Sequence, residues 1–358
     1  MKSSIRKSSK KYQVRRRSGT IIENSTGKVQ VFGPKDFMNK IVLGDCCFVC
    51  GAEPGSKPFN YEHILPRWLL KLFRSHIDFM ILPNNTKIKY GSYVVPCCQE
   101  CNSEMSAKLE VPVSNLLKRG YDNLCEALHK DDSIYKLLFQ WLCLIFFKTH
   151  YKDTFLRTER DTRKTSCYLG HHYDWYPLHH IHRMATLHHT DVKPAFEAYG
   201  TILVMKAKPY DFDYLDNLND QIIYVQVGDI LLMAALNESK ACLSLYKTFL
   251  SRIDGTLNPI QIRELFARLR YAVANLKDLP TFVIRVKKDA IALKAKRPKR
   301  QSIYREEEEK KSLFKLMRDY IEPLMPTDLP NKQQLLEDLE QGKAQYILDE
   351  NGKFHEYS

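Results

Sequence analysis

Two short cysteine motifs decide how this chain is interpreted: Cys47-Phe48-Val49-Cys50 and Cys98-Gln99-Glu100-Cys101. In each motif two residues separate the cysteines, which allows both sulfur atoms to face one ion. A pair of such motifs supplies the four thiolates of a tetrahedral zinc site. The motifs are separated by residues 51–97, a longer interval than in a compact zinc ribbon, so an insertion lies between them. The spacing therefore predicts a structural Zn2+ bound by Cys47, Cys50, Cys98 and Cys101.

Two further cysteines precede these motifs and could compete as ligands. Cys46 lies directly before the first motif and Cys97 directly before the second, but the two-residue spacing favours Cys47 and Cys98. The basic N-terminus is followed by polar residues and not by an apolar run, which predicts no secretory signal. We therefore expect a cytoplasmic protein whose ten cysteines are thiols or metal ligands and not disulfides.

The insertion between the motifs contains an acid–histidine pair. It reads Tyr61-Glu62-His63-Ile64-Leu65-Pro66, and Asn102 follows the second motif directly. Glu-His alone is a common dipeptide, so the pair gains its weight from lying between the halves of a four-cysteine site. The chemistry that such a pair offers is proton transfer by the imidazole and cation binding by the carboxylate.

With these residues in this order, the sequence resembles the HNH endonuclease family, in the subgroup in which paired zinc-binding motifs bracket the active site. The resemblance covers about residues 45–112. It implies a ββα-metal fold, in which a β-hairpin and a helix surround one catalytic divalent cation, and hydrolysis of phosphodiester bonds in DNA. Members serve in restriction, homing, phage-encoded and anti-phage defence functions, and a large additional region suits a regulated defence effector. The matched positions are Cys47, Cys50, Glu62, His63, Pro66, Cys98, Cys101 and Asn102.

The resemblance also implies a role for each residue of the site. Glu62 would be a ligand of the catalytic cation, His63 the general base, and Asn102 the second ligand, where many members have histidine. Oxygen ligands favour Mg2+ or Mn2+ here, whereas thiolates favour zinc at the other site. Glu104 and Glu110 lie further along the predicted helix and either reach the same cation or form salt bridges at the surface.

One position departs from the family pattern. The family's middle asparagine, which commonly orients the loop that holds the histidine, corresponds to Tyr93 here; Asn84 or Asn85 could fill that role. Asn102 could also cap the helix that follows it. The alternative function is therefore a zinc-stabilised nucleic-acid-binding protein without catalysis.

The charge of the chain favours a polyanionic partner. Residues 1–40 contribute +9 of the formal net charge of +13, and residues 294–300 form a second basic cluster. Such clusters bind phosphates without reading sequence, so we expect nucleic acid, and specifically double-stranded DNA, as the partner. We expect no membrane contact, because the most apolar stretch, Leu137–Phe147, is too short to span a bilayer. A protein partner or a second copy could bind through the C-terminal region.

The pattern of apolar residues predicts an α+β protein in which a small zinc-bound nuclease domain precedes a larger region of helices and sheet. Helices are predicted over Val113–Leu128, Ile134–Thr149, Pro259–Leu276 and Glu306–Ile321. Strands are predicted at 29–32, 201–205, 222–227, 230–236 and 281–286. The predicted parts are a flexible basic arm (1–40), the nuclease domain (41–112), a helical region with a histidine-rich connector (113–195), an α+β domain (196–293), and a basic linker with a C-terminal helix and tail (294–358).

Overall fold

The computed structural model describes residues 10–73, 77–159, 161, 163–164, 167–299, 302 and 307–357. The chain mixes helix and sheet, as the α+β prediction requires, and forms two units. The first unit comprises Met1–Pro112, Cys143–Ala198 and Phe282–Lys294, and the second comprises Val113–Leu142, Tyr199–Thr281 and Ala295–Ser358. The five predicted parts do not coincide with these units, because the chain enters each unit three times.

The first unit is built from short elements. Its three sheets are β1-β2-β3, β4-β7 and β11-β12-β8, and β5 and β6 form a separate hairpin. The strands are β1 (Tyr12–Val14), β2 (Ile21–Glu23), β3 (Val29–Val31), β4 (Phe59–His63), β5 (Phe79–Ile81), β6 (Lys87–Lys89), β7 (Val94–Cys98), β8 (Val192–Pro194), β11 (Thr281–Val286) and β12 (Ile291–Lys296). The helices are α1 (Pro34–Asp36), which continues as a π-helical segment to Val42, α2 (Arg67–Leu72), α3 (Gln99–Met105) and α7 (Trp175–Ala185).

Residues 10–40, predicted as a flexible basic arm with one short strand at 29–32, contain three strands and a short helical segment. β1, β2 and β3 form an antiparallel sheet there, and Tyr12, Ile21 and Val31 are buried. β3 lies at the strand predicted over 29–32, whereas β1 and β2 are not predicted, because three-residue strands give too few repeats to register as a period. Residues 1–9 lie outside the described residues.

The helical segment that follows Pro112 differs in one respect from its prediction. The helix predicted over Val113–Leu128 is two helices, α4 (Val111–Leu117) and α5 (Tyr121–Lys130). Gly120 separates them with φ +79°, a conformation that favours glycine and ends a helix. The next helix, α6 (Ser133–Lys152), confirms the second prediction, and its C-terminal half from Cys143 belongs to the first unit.

The second unit is organised around one long hairpin. β9 (Thr201–Asn217) pairs with β10 (Ile222–Ala235), and α10 (Pro259–Ala274) packs on the hairpin through residues such as Phe266. Two strands had been predicted where β10 is continuous: Gly228, with φ +58°, forms a bulge and not a turn. The remaining helices are α8 (Ala241–Leu245), α9 (Lys247–Leu250), α11 (Glu307–Ile321) and α12 (Lys332–Glu340).

From Ala295 onward, the predicted linker and tail belong to the second unit. Lys294 and Lys296 lie in β12, so the basic cluster begins within a strand, and Arg300 lies outside the described residues. The side chains of Met317 in α11 and Leu336 in α12 join a buried cluster with α10. In the part of the chain that the structure describes, no helix has both the length and the apolar character needed to cross a bilayer.

Candidate metal centre and active site

Four cysteine side chains converge where β7 leads into α3. The sulfur atoms of Cys47, Cys50, Cys98 and Cys101 all lie within 4.8 Å of one another. The Cys50 and Cys98 sulfurs are 3.8 Å apart, and two thiolates on one tetrahedral zinc ion with Zn–S bonds of about 2.3 Å are separated by about 3.8 Å. The four-cysteine cluster could therefore hold a metal ion such as zinc.

A tight turn presents the first two of these cysteines. The Gly51 amide donates to the Cys47 carbonyl at 2.8 Å, and Gly51 has φ +69°. A Cβ added to Gly51 would lie 2.9 Å from Cζ of Phe32, so both the backbone and the close ring require glycine here. Within the cluster, hydrogen bonds from Cys101 and then Cys50 lower the pKa of the Cys47 thiol, which favours the thiolate form that binds metal.

The two competing cysteines lie outside the cluster. The thiol of Cys46 donates to the Lys40 carbonyl at 2.9 Å, and burial raises its pKa to about 12. The Cys97 sulfur is 3.8 Å from that of Cys47 but is not among the four that lie within 4.8 Å of one another. The four cysteines whose sulfur atoms converge are therefore those of the two Cys-x-x-Cys motifs.

The acid–histidine pair lies at the end of the strand that pairs with β7. β4 and β7 are antiparallel, with Glu62 opposite Val95 and His63 opposite Val94. Because β7 ends at Cys98 and α3 begins at Gln99, the cluster lies at the junction of β7 and α3. Glu62 and His63 lie on the neighbouring strand β4, where alternation directs their side chains to opposite faces, and Asn102 lies on α3.

The carboxylate of Glu62 is already engaged in an ion pair. It is buried, and its Oε1 accepts a hydrogen bond of 2.7 Å from Nζ of Lys148, whose side chain is 0% exposed. The same ammonium donates to the His63 carbonyl at 2.7 Å and lies 3.5 Å from Glu110 Oε1. Burial alone would lower the pKa of Lys148, but the carboxylates of Glu62 and Glu110 outweigh burial and raise it. A buried ammonium ion therefore already neutralises the predicted metal ligand.

His63 is partly buried and has the properties of a neutral imidazole. Burial, and then the positive charge of Arg67, lower its pKa, while a hydrogen bond with the backbone of Gly91 acts in the opposite direction. A neutral imidazole can accept a proton. Tyr61, on the same side of β4, is exposed.

Asn102 lies in the first half of α3 and contacts β4. Its Nδ2 donates to Oδ1 of Asn60 at 3.0 Å, so this hydrogen bond does not use the Asn102 amide oxygen. The residue is not the N-cap of α3, because that position is Cys98. Asn60 was missed from the sequence, although its position two residues before Glu62 on a strand places both on one face.

Tyr93 supports the candidate site through its backbone. The carbonyl of Tyr93 accepts from the amide of Ile64 at 3.0 Å and so fixes the chain just after His63. Asn84 instead donates to the Arg157 carbonyl and accepts from the Thr86 amide. Asn85 has φ +60° in the same turn. Both asparagines therefore have a structural role in this turn.

The two other acidic candidates are engaged in ion pairs. Burial would raise the pKa of Glu104, but hydrogen bonds with Nζ of Lys108 at 2.6 Å and with Nδ1 of His189 outweigh burial and lower that pKa to about 2. Glu110 is buried beside Lys148, and burial raises its pKa to about 7. Neither side chain contributes to a metal-binding group of three or more His, Cys, Asp or Glu residues.

The helical part of the histidine-rich segment contributes three imidazoles to the core. His179, His180 and His182 lie in α7, are buried, and donate hydrogen bonds from Nε2 to the carbonyls of Phe32, Ala198 and Phe48. Across the described residues, the four-cysteine cluster is the one group of three or more His, Cys, Asp or Glu side chains close enough to share an ion. The segment was predicted as a connector, and it is a helix with buried imidazoles.

These buried histidines predict acid sensitivity. Burial, and then the charge of Arg183, lower the pKa of His180 to about 3, so the folded state stays neutral at His180 while the unfolded state takes up a proton near pH 6.5. Stability is therefore complete above about pH 6.5 and falls as the pH decreases from there towards 3, by up to about 1.4 kcal/mol per pH unit. Urea unfolding of His180→Gln between pH 7 and 5 should show a shallower pH dependence than the wild type. An unchanged slope would contradict the assignment.

One contributor to the site gave only a weak signal in the sequence. Lys148 directly follows the most apolar stretch of the chain, Leu137–Phe147, and a lysine at that place reads as the polar end of a buried helix. Its partners are 86 and 38 positions away, at Glu62 and Glu110. Only the packing of α6 in the first unit brings these charges together.

No family model, curated protein or solved structure matches this chain. The functional conclusion therefore depends on the residues and contacts described above.

Proposed function

We propose that the first unit is an HNH-type endonuclease that hydrolyses phosphodiester bonds of DNA with the help of a divalent cation. One observation carries this proposal: the four-cysteine cluster lies at the junction of β7 and α3, where α3 bears Asn102 and the strand paired with β7, β4, bears the Glu62-His63 pair. The zinc ion would be structural, because four thiolates leave no open position for substrate or water.

His63 is the proposed general base. Its lowered pKa keeps the imidazole neutral near pH 7, and its ring is only partly buried, so a water molecule can reach it. The hydrogen bond that the His63 imidazole donates to the backbone of Gly91, and the bond from Lys148 to the His63 carbonyl, hold the residue in place. Exposed Tyr61 and Arg67 flank it and suit contact with a nucleotide and a phosphate.

The ligand types present fit a hard divalent cation. A carboxylate oxygen of Glu62 and the amide oxygen of Asn102 are donors that Mg2+ or Mn2+ accepts. When bound, such a cation would supply charge neutralisation at the phosphate and the leaving oxygen. Because Lys148 already bonds one oxygen of Glu62, Glu62 would contribute through its second oxygen.

Plasmid cleavage tests the proposal. Wild-type protein should nick or cut supercoiled plasmid with Mg2+ or Mn2+, and His63→Ala should reduce the rate by about 100-fold or more, the contribution of a general base. His171→Ala is the matched control, since His171 is an exposed histidine of the same unit. Metal-dependent cleavage that survives His63→Ala would contradict the assignment of the base.

A second function, a zinc-stabilised nucleic-acid-binding protein without catalysis, is favoured by the engagement of Glu62. Its carboxylate is neutralised by a fully buried lysine, which weakens its attraction for a cation. Tyr93 in place of the middle asparagine points the same way. Absence of cleavage with any divalent metal, together with retained DNA binding, would favour this function.

A further inference from the structure

A β-hairpin in the insertion presents an apolar and basic face to solvent. Phe79 pairs with Lys89 and Ile81 pairs with Lys87 across β5 and β6, so the four side chains share one face. Phe79 is 53% exposed and Ile81 71% exposed. The ammonium groups of Lys87 and Lys89 lie 4.7 and 5.8 Å from the Phe79 ring centroid. We call these four side chains the hairpin face.

The hairpin is anchored, so this face has a defined direction. Leu82 in the turn is buried, and its amide donates to the Thr86 carbonyl at 2.9 Å. Asn84 ties the turn to the Arg157 carbonyl at 2.9 Å. The opposite side of the hairpin, with Met80 and Ile88, is half-buried. The exposed apolar residues are therefore held outward by the fold, and exposed apolar surface of this kind marks interaction sites.

The base of the hairpin is continuous with the proposed active site. The Tyr90 amide donates to the Asp78 carbonyl at 3.0 Å and closes the hairpin. The next residue, Gly91, is the one whose backbone bonds His63. A ligand on the hairpin face is thus one short turn of chain from the proposed base.

We propose that the hairpin face binds duplex DNA beside the active site, a proposal that rests on the proposed function. A two-stranded ribbon fits the major groove, Lys87 and Lys89 would contact phosphates, and Phe79 and Ile81 would contact bases or sugars. Charge favours DNA over a protein partner, because Asp78 is the one acidic residue in 77–89 against two lysines. The hairpin is linked to His63 through Gly91, and this link to the proposed active site favours DNA, the proposed substrate, over a lipid surface.

Binding should be measured by fluorescence anisotropy with a labelled DNA duplex, using the His63→Ala protein so that no cleavage interferes. Lys87→Gln/Lys89→Gln should weaken binding and reduce the slope of log K against log salt by about 2, one for each lost phosphate contact. Phe79→Ala/Ile81→Ala should weaken binding by about tenfold without changing that slope. Lys311→Gln/Lys315→Gln on α11 removes the same charge from exposed positions elsewhere and is the control. All six substituted side chains are exposed, so thermal melting should stay at the parent value.

Failure of this proposal is distinguishable from failure of the proposed function. Hairpin variants that bind DNA like the control would overturn it even if the wild type cleaves plasmid. Loss of binding in the hairpin variants supports it even if the wild type cleaves nothing. It would also be overturned if Phe79→Ala/Ile81→Ala altered self-association in sedimentation, or abolished binding to phosphatidylserine vesicles, while DNA binding stayed intact.

Discussion

Cys98→Ala is expected to release the metal and unfold the first unit. Cys98 is buried, and its sulfur lies 3.8 Å from that of Cys50 within the four-cysteine cluster. Structural zinc contributes about 10–16 kcal/mol of apparent binding free energy in zinc-finger peptides, so losing one of four thiolates should lower the free energy of unfolding by at least about 3 kcal/mol. Zinc content by mass spectrometry and thermal melting by circular dichroism measure both effects.

The matched control for this prediction is Cys97→Ala. Cys97 is the preceding residue and is equally buried, but its sulfur is outside the cluster. We expect this variant to keep one zinc ion per chain and to lose only the packing of one sulfur atom, about 1 kcal/mol. Zinc lost from Cys97→Ala and retained in Cys98→Ala would show that the ligand set is wrong.

Lys148→Met should destabilise the first unit by about 3–5 kcal/mol, the cost of removing one partner from a buried ion pair. Nζ of Lys148 is the positive charge that lies 2.7 Å from Glu62 and 3.5 Å from Glu110. Methionine of similar length would leave two buried carboxylates facing each other without a cation. Urea unfolding at pH 7.5 measures the effect.

Two further variants isolate the ion pair. Lys152→Met removes the next lysine of the same helix, which donates one hydrogen bond to the Val94 carbonyl at 2.9 Å, and should cost only about 1–2 kcal/mol. Adding Glu62→Gln to Lys148→Met should recover part of the loss, because one of the two uncompensated charges is removed. Equal costs for Lys148→Met and Lys152→Met, with no recovery, would contradict a coupled buried pair.

Only part of the candidate site could be predicted: the features set by residues close together in the sequence were predictable, and the contacts between distant residues were not. The spacing within each cysteine motif is a local property, so the ligand set of the cluster could be derived before the fold was known. The partner of Glu62 could not, because Lys148 reaches it from a helix far along the chain. A pattern of nearby residues carries no information about such a contact.

The elements of the fold show the same division. α6 and α10 match their predictions because both are long: α6 is apolar around most of its circumference, as a core helix is, and α10 has apolar residues at helical spacing. The bulge at Gly228 and the break at Gly120 are decided by positive φ values. Glycine permits that conformation without requiring it, so the sequence marks the place and the surrounding sheet or helix packing selects a turn, a bulge or a break.

The sequence by itself therefore determined which four cysteines form the cluster, the order of the residues around it, and the long helices, since each depends on neighbouring residues. The tertiary structure alone decided that Glu62 is neutralised by Lys148, that the histidines of α7 are buried, and that the hairpin face points to solvent. These features depend on burial and on charges brought together from distant segments. Burial and charge pairing set the chemistry of a side chain, and both exist only once the chain has packed.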